Sequence, residues 1–89
     1  KDDTYLASLS TIGGTCFRMG DYATSEDYFR KTVISCYSAI VSEDVACNYL
    51  SEAYLFLYGI YKKLDNDVLQ KECLYKLEEI DRWKKTKAK

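Results

Sequence analysis

Apolar residues recur at three- and four-residue steps along nearly the whole chain, and short polar breaks divide the pattern into four segments. Leu6, Leu9, Ile12, Gly13 and Cys16 fall on one face of a first helix, expected over about residues 3–18. Asp2 or Asp3 can cap its start, and Gly20 ends it, because glycine takes left-handed backbone at little cost. Asp21 is then the candidate cap of a second helix, about 22–39, with Tyr22, Phe29, Val33, Cys36 and Ile40 inward. Glu26 and Asp27 lie near its start, where carboxylates suit the helix dipole. Beyond the polar break Ser42-Glu43-Asp44, a third helix over about 44–63 carries Ala46, Leu50, Ala53, Leu57, Ile60 and Leu64 on one stripe. It also carries Tyr49, Tyr54, Phe56 and Tyr61 elsewhere. A helix apolar on more than one side meets more than one neighbour, so this one is central or presents a surface to a partner. Asp65-Asn66-Asp67 opens a fourth helix, about 67–84, with Leu69, Cys73, Leu77 and Ile80 inward. The fold class expected is all-α, with four antiparallel helices on short connections forming two stacked hairpins.

Composition sharpens this picture. The 89 residues suit one domain, and the absence of proline favours long unbroken helices. The chain begins at Lys1 rather than methionine and has polar ends, so a segment of a longer protein or a processed product is expected. No stretch reads as a signal peptide, and the apolar run AYLFLYGIY at 53–61 is far short of the ~20 residues that span a bilayer. A cytoplasmic chain with no membrane contact is expected. Net charge of −1 gives no global field to draw nucleic acid; the lysine-rich end, KKTKAK, reads as a solvated tail.

Little here supports chemistry. There is no histidine, and Cys16, Cys36, Cys47 and Cys73 are too dispersed for a CxxC metal site. The even count permits two disulfides, but each cysteine sits in an apolar pattern, and buried free thiols are expected. The acidic triplet at 65–67 is not a calcium loop, because an EF-hand starting there would need glycine and glutamate where Gln70 and Lys76 stand. Gly13-Gly14-Thr15 lacks the lysine and flanking pattern of a phosphate loop. Neither catalysis, a cofactor nor a metal is expected.

The two hairpins repeat. Leu9-x-x-Ile12-Gly13-x-x-Cys16 is followed by the elbow Gly20-Asp21-Tyr22, a small residue at Ser25 and Phe29 four residues later. Tyr54-x-x-Leu57-Tyr58-x-x-Tyr61, the elbow Leu64-Asp65-Asn66, and Leu74 follow the same order 45 residues on, with Gly14 and Gly59 in register. Over about residues 6–83 this resembles the tetratricopeptide repeat (TPR). The family's first-helix tryptophan is replaced by Leu9 or Tyr54, its glycine is kept at Gly13 but not at Tyr58, and its closing proline is missing. The long period is similar to the long-helix TPR-like arrays of bacterial sensors and regulators. An unrelated four-helix bundle with coincident spacing is the alternative.

The resemblance implies a protein–protein interaction module within a regulatory or scaffold protein, with the first helices of the hairpins lining a concave groove. It places Ser10, Gly14, Phe17 and Arg18 outward on the first hairpin, and Glu52, Leu55, Gly59, Lys62 and Lys63 on the second. The partner-binding set expected is Ser10, Phe17, Arg18, Glu52, Leu55, Lys62 and Lys63. Arg18, Lys62 and Lys63 would gather positive charge for a protein or peptide partner with acidic groups. The glycines would admit a peptide backbone, although close helix packing alone can also explain them. Likewise, lysines at a helix end suit its dipole with no ligand. Trp83 reads either as last-turn packing or as a contact to a further repeat. Two hairpins are few for an array, so self-association as a homodimer through an uncovered end helix is the alternative function.

Overall fold

The two glycine- and asparagine-bearing turns of the chain set its helix boundaries. In the computed structural model, which describes residues 4–38 and 43–87, the helices are α1 (Thr4–Arg18), α2 (Tyr22–Ser38), α3 (Glu43–Lys63) and α4 (Asp67–Lys87). The expected caps Asp2, Asp3 and Ser42 and the inward position Ile40 lie outside the described residues. α4 continues three residues past its expected end and takes up most of the lysine-rich stretch.

The two elbows share one construction. After α1, Gly20 adopts a left-handed φ of 82°. Its N–H donates to the Phe17 carbonyl at 3.0 Å, and the Asp21 N–H donates to the Cys16 carbonyl at 2.9 Å. These bonds satisfy carbonyls that a helix end otherwise leaves unpaired. Asp21 Oδ1 then accepts from the Thr24 N–H at 3.3 Å and caps α2. After α3, Asp65 takes the left-handed place with φ 60°. The Asp65 N–H donates to the Lys62 carbonyl at 3.2 Å, and the Asn66 N–H to the Tyr61 carbonyl at 2.8 Å. Asn66, rather than either flanking aspartate, caps α4 by accepting from the Leu69 N–H at 3.1 Å. Gly20 and Asp65, like Asp21 and Asn66, are separated by the same 45 residues that relate the two halves in sequence.

Side-chain pairings give the helix directions. Phe17 meets Tyr22, while Gly13 meets Ser25 and Phe29, so α1 and α2 are antiparallel. Glu26 reaches Tyr61 and Cys36 packs with Leu50, so α2 and α3 are antiparallel as well. Gly14 meets Phe56 and Gly59 meets Phe17, which makes α1 and α3 parallel neighbours. Gln70 reaches the Tyr61 carbonyl and Lys84 reaches Asn48, which closes the second antiparallel hairpin. The α4 backbone comes close to α3 and, among the described residues, to neither α1 nor α2. A closed four-helix bundle would bring the fourth helix back against the first. Here α3 instead lies on the first hairpin and carries α4 on its far side, an open stack of two hairpins.

The core follows from that stacking. Phe29, Ala53, Leu57, Ile60, Tyr61 and Cys73 form one buried cluster, and Leu6, Cys36 and Leu50 a second. Phe29 and Phe56 stack with centroids 4.6 Å apart, and Phe17 meets Phe56 edge-on at 5.5 Å. The rings are seated on glycines: a Cβ on Gly13 would lie 2.8 Å from Phe29 Cε2. Ser25, wholly buried at the expected small position, donates to the Gly13 carbonyl at 2.7 Å. That bond satisfies a hydroxyl which would otherwise be costly to bury.

Several inward positions are less covered than their periodicity implies. Ile12 is 42% exposed because α1 turns its glycine face, rather than the side chain one residue earlier, toward its neighbours. Leu64 is exposed because α3 ends at Lys63. Leu69, Leu77 and Ile80 are only half-buried, since α4 has a single close neighbour. Of the cysteines, Cys36 and Cys73 are buried, but Cys16 and Cys47 are only half-buried; none of the four is in a disulfide.

Candidate functional site

The parallel packing of α1 and α3 leaves a shallow cleft of about 340 Å³ between them. Its α1 wall is Ala7, Ser10, Thr11, Gly14 and Arg18, and its α3 wall is Tyr49, Glu52 and Phe56. Residues four apart on a helix lie one above another, which is why Ser10, Gly14 and Arg18 line one edge. Ser10 Oγ is shut off from solvent and has no hydrogen-bond partner. Buried hydroxyls in folded proteins are nearly always bonded, so this orphan beside the cleft is an unmet polar group. Arg18 and Glu52 are exposed at the rim, and among the described residues neither forms an ion pair.

The structure thus brings Ser10, Arg18 and Glu52 together at one cleft, with Gly14 on its floor. The other members of the expected set are placed differently. Phe17 is half-buried among Tyr22, Phe56 and Gly59 and serves the contact between hairpins. Leu55 is exposed and lies outside the cleft lining. Lys62 and Lys63 form the last turn of α3 and, because α1 and α3 are parallel, share an end of the molecule with Arg18. Asp21 and Asp65 occupy the elbows at that same end and temper its positive charge. Both groove glycines meet aromatic carbons, Gly14 toward Phe56 at 3.7 Å and Gly59 toward Phe17 at 3.4 Å. Close helix packing therefore accounts for much of their presence.

A second polar constellation escaped the sequence pattern. The buried Tyr61 hydroxyl donates to Glu26 Oε2 at 2.5 Å and accepts from Arg30 Nη2 at 2.8 Å. Arg30 Nε closes the triangle on Glu26 at 3.1 Å. Burial, reinforced by the bond to Glu26, pushes the Tyr61 phenol far above its ordinary range, so it stays protonated. Its donor and acceptor are both satisfied, and the triangle ties α2 to α3 across 35 residues of chain. Only the acidic start of α2 and the place of Tyr61 in the repeat, where Cys16 stands in the first hairpin, hinted at it; nothing local linked the two.

Beside the triangle, α2 and α4 stand apart over α3. The gap holds a cavity of about 270 Å³ lined by Val33, Leu57, Leu69 and Cys73 with Arg30 and Glu72. Among the described residues no group of three histidine, cysteine or acidic side chains could hold a metal ion, and no helix is long and apolar enough to cross a membrane. Compared with protein-family models, curated proteins and solved structures, the chain matches none significantly.

Proposed function

We propose that this chain is a TPR-like interaction module that holds a peptide or protein segment in the α1/α3 cleft and performs no chemistry of its own. The observation that carries the reading is the convergence, on one cleft, of an unpartnered buried Ser10 hydroxyl with Arg18 and Glu52. The open stack, with parallel first helices and a repeated elbow, supports the repeat assignment. In this reading Arg18, Lys62 and Lys63 favour a partner with acidic groups, and the setting is a cytoplasmic regulatory or scaffold protein.

Panning a displayed random-peptide library tests this. The native chain is expected to enrich acid-bearing peptides. Arg18→Glu with Lys62→Glu and Lys63→Glu is expected to abolish that enrichment while circular dichroism stays helical. Lys31→Glu and Lys85→Glu, on α2 and α4, should leave it intact. Absence of enrichment, or enrichment indifferent to the cleft changes, sinks the proposal.

Self-association is a second reading favoured by one observation. Phe29 is fully buried between Gly13 of its own hairpin and Phe56 of the second, whereas Leu74, standing 45 residues later, is 46% exposed, and Leu55 and Tyr75 are also exposed. Sedimentation equilibrium distinguishes it: a mass that rises with concentration, and falls to the monomer on Leu74→Lys, would favour this reading over the cleft.

A further inference from the structure

Cys36 and Cys47 open on one space. A cavity of about 350 Å³ lies on the α2/α4 side of α3, lined by Cys36, Cys47, Leu50, Ile80 and Trp83 among others. Cys36 is buried in the cluster with Leu6 and Leu50, and Ala46 packs against that cluster. Cys47 follows Ala46 and precedes Leu50 by three residues, so it shares the α3 face that Cys36 meets. Two helices in direct contact thus bring two thiols to one cavity. Cys36 also feels Cys47 electrostatically: its thiol is pushed up to about 11, first by burial and then by the charge Cys47 would carry. The remaining cysteines stand apart. Cys73 lines the neighbouring cavity with Arg30 and Glu72, and Cys16 is on α1.

We infer that Cys36 and Cys47 form a paired-thiol site that closes to an intramolecular disulfide on meeting a small-molecule disulfide. Cys47, the more accessible of the two, gives its proton to solvent and attacks one sulfur of the reagent, whose other half leaves as a thiolate and takes up a proton. Cys36 then loses its proton and attacks the Cys47 sulfur of the mixed disulfide, expelling the second half as a thiol. Two protein thiols are oxidised and one reagent disulfide is reduced. The first exchange is set by access; the second is slowed by burial of Cys36 but made intramolecular by the shared cavity. The product would staple the last turn of α2 to the second turn of α3, and so one hairpin to the other.

Glutathione disulfide is a suitable probe. The native chain is incubated with it, alkylated and weighed intact, then digested without reduction. The expected result is loss of two of the four alkylation sites, a mass 2 Da below the reduced chain before alkylation, and a cross-linked peptide containing Cys36 and Cys47. The melting temperature should rise with the fraction closed and return on reduction. A Cys16→Ser/Cys73→Ala chain should behave alike, and adding Cys47→Ser should prevent closure. Four persistently free thiols, a glutathione adduct that never resolves, or a link through Cys16 or Cys73 would each overturn the inference.

Discussion

Adjacent glycines in one helix usually invite a single explanation, yet Gly13 and Gly14 meet different surroundings. A methyl at Gly13 would press on the ring of Phe29, which is fully buried and cannot yield cheaply. A methyl at Gly14 would sit at ordinary contact distance, 3.7 Å, from Phe56. Glycine in a helix interior costs about 1 kcal/mol relative to alanine. Overpacking a core costs about 1–3 kcal/mol. Opposite signs are therefore expected. Gly14→Ala should stabilise the fold by up to about 1 kcal/mol through helix propensity. Gly13→Ala should destabilise it by up to about 2 kcal/mol, the overpacking cost less the propensity gain. Urea unfolding of the two variants measures both, and a stabilised Gly13→Ala would show that the Phe29 ring has room to move.

At the scale of elements, the two elbows are the same device made with different residues. Gly20 holds left-handed backbone without strain, whereas Asp65 holds it at φ 60° with a Cβ in place. Asp65→Gly is thus expected to stabilise the chain by about 1 kcal/mol, and Gly20→Ala to destabilise it by a similar amount. Thermal unfolding of each variant checks this, and no gain from Asp65→Gly would mean that its side chain compensates the strain. The elbows were legible from sequence because capping chemistry is local: Asp21 and the 65–67 triplet announce themselves beside a break in periodicity. The number, order and near-limits of the helices were legible for the same reason. What could not be read was rotation. Ile12 and Gly14 both lie near the apolar stripe of α1, and only the arrival of Phe56 from α3 decides that the glycine is covered and the isoleucine left out. The same limit hid Phe17 in the contact between hairpins. Ser10, Arg18 and Glu52 could be placed on one cleft wall or the other because helical spacing and the repeat register fix which residues of α1 and α3 share a face. The Glu26–Arg30–Tyr61 triangle was not, because it depends on the register between α2 and α3.

At the scale of the whole molecule, the open stack buries the thiols of Cys36 and Cys73 and much of the Tyr54 phenol, and this gives the fold an alkaline limit. Burial first, with Cys47 second, raises Cys36 to about 11, and burial first, with Glu72 second, raises Cys73 to about 11, against an ordinary value of 9.0. Tyr54 is pushed up to about 12, chiefly by burial and secondarily by Tyr37. In each case the folded chain keeps a proton that the unfolded chain gives up. The stability these groups contribute is therefore fully present below the unfolded value and lost as pH rises toward the folded one. Under reducing conditions stability should be level to about pH 8.5, then fall between about pH 9 and 11 by about 1 kcal/mol per pH unit for each thiol fully engaged. Tyr54 adds to the slope above its ordinary value of 10.0. Urea midpoints taken from pH 7 to 11 measure the curve, and Cys36→Ala/Cys73→Ala should flatten its first part while leaving the tyrosine part. A native curve as flat as that of the double variant would mean that water reaches both thiols, so that the two clusters along α3 open more readily than their packing implies.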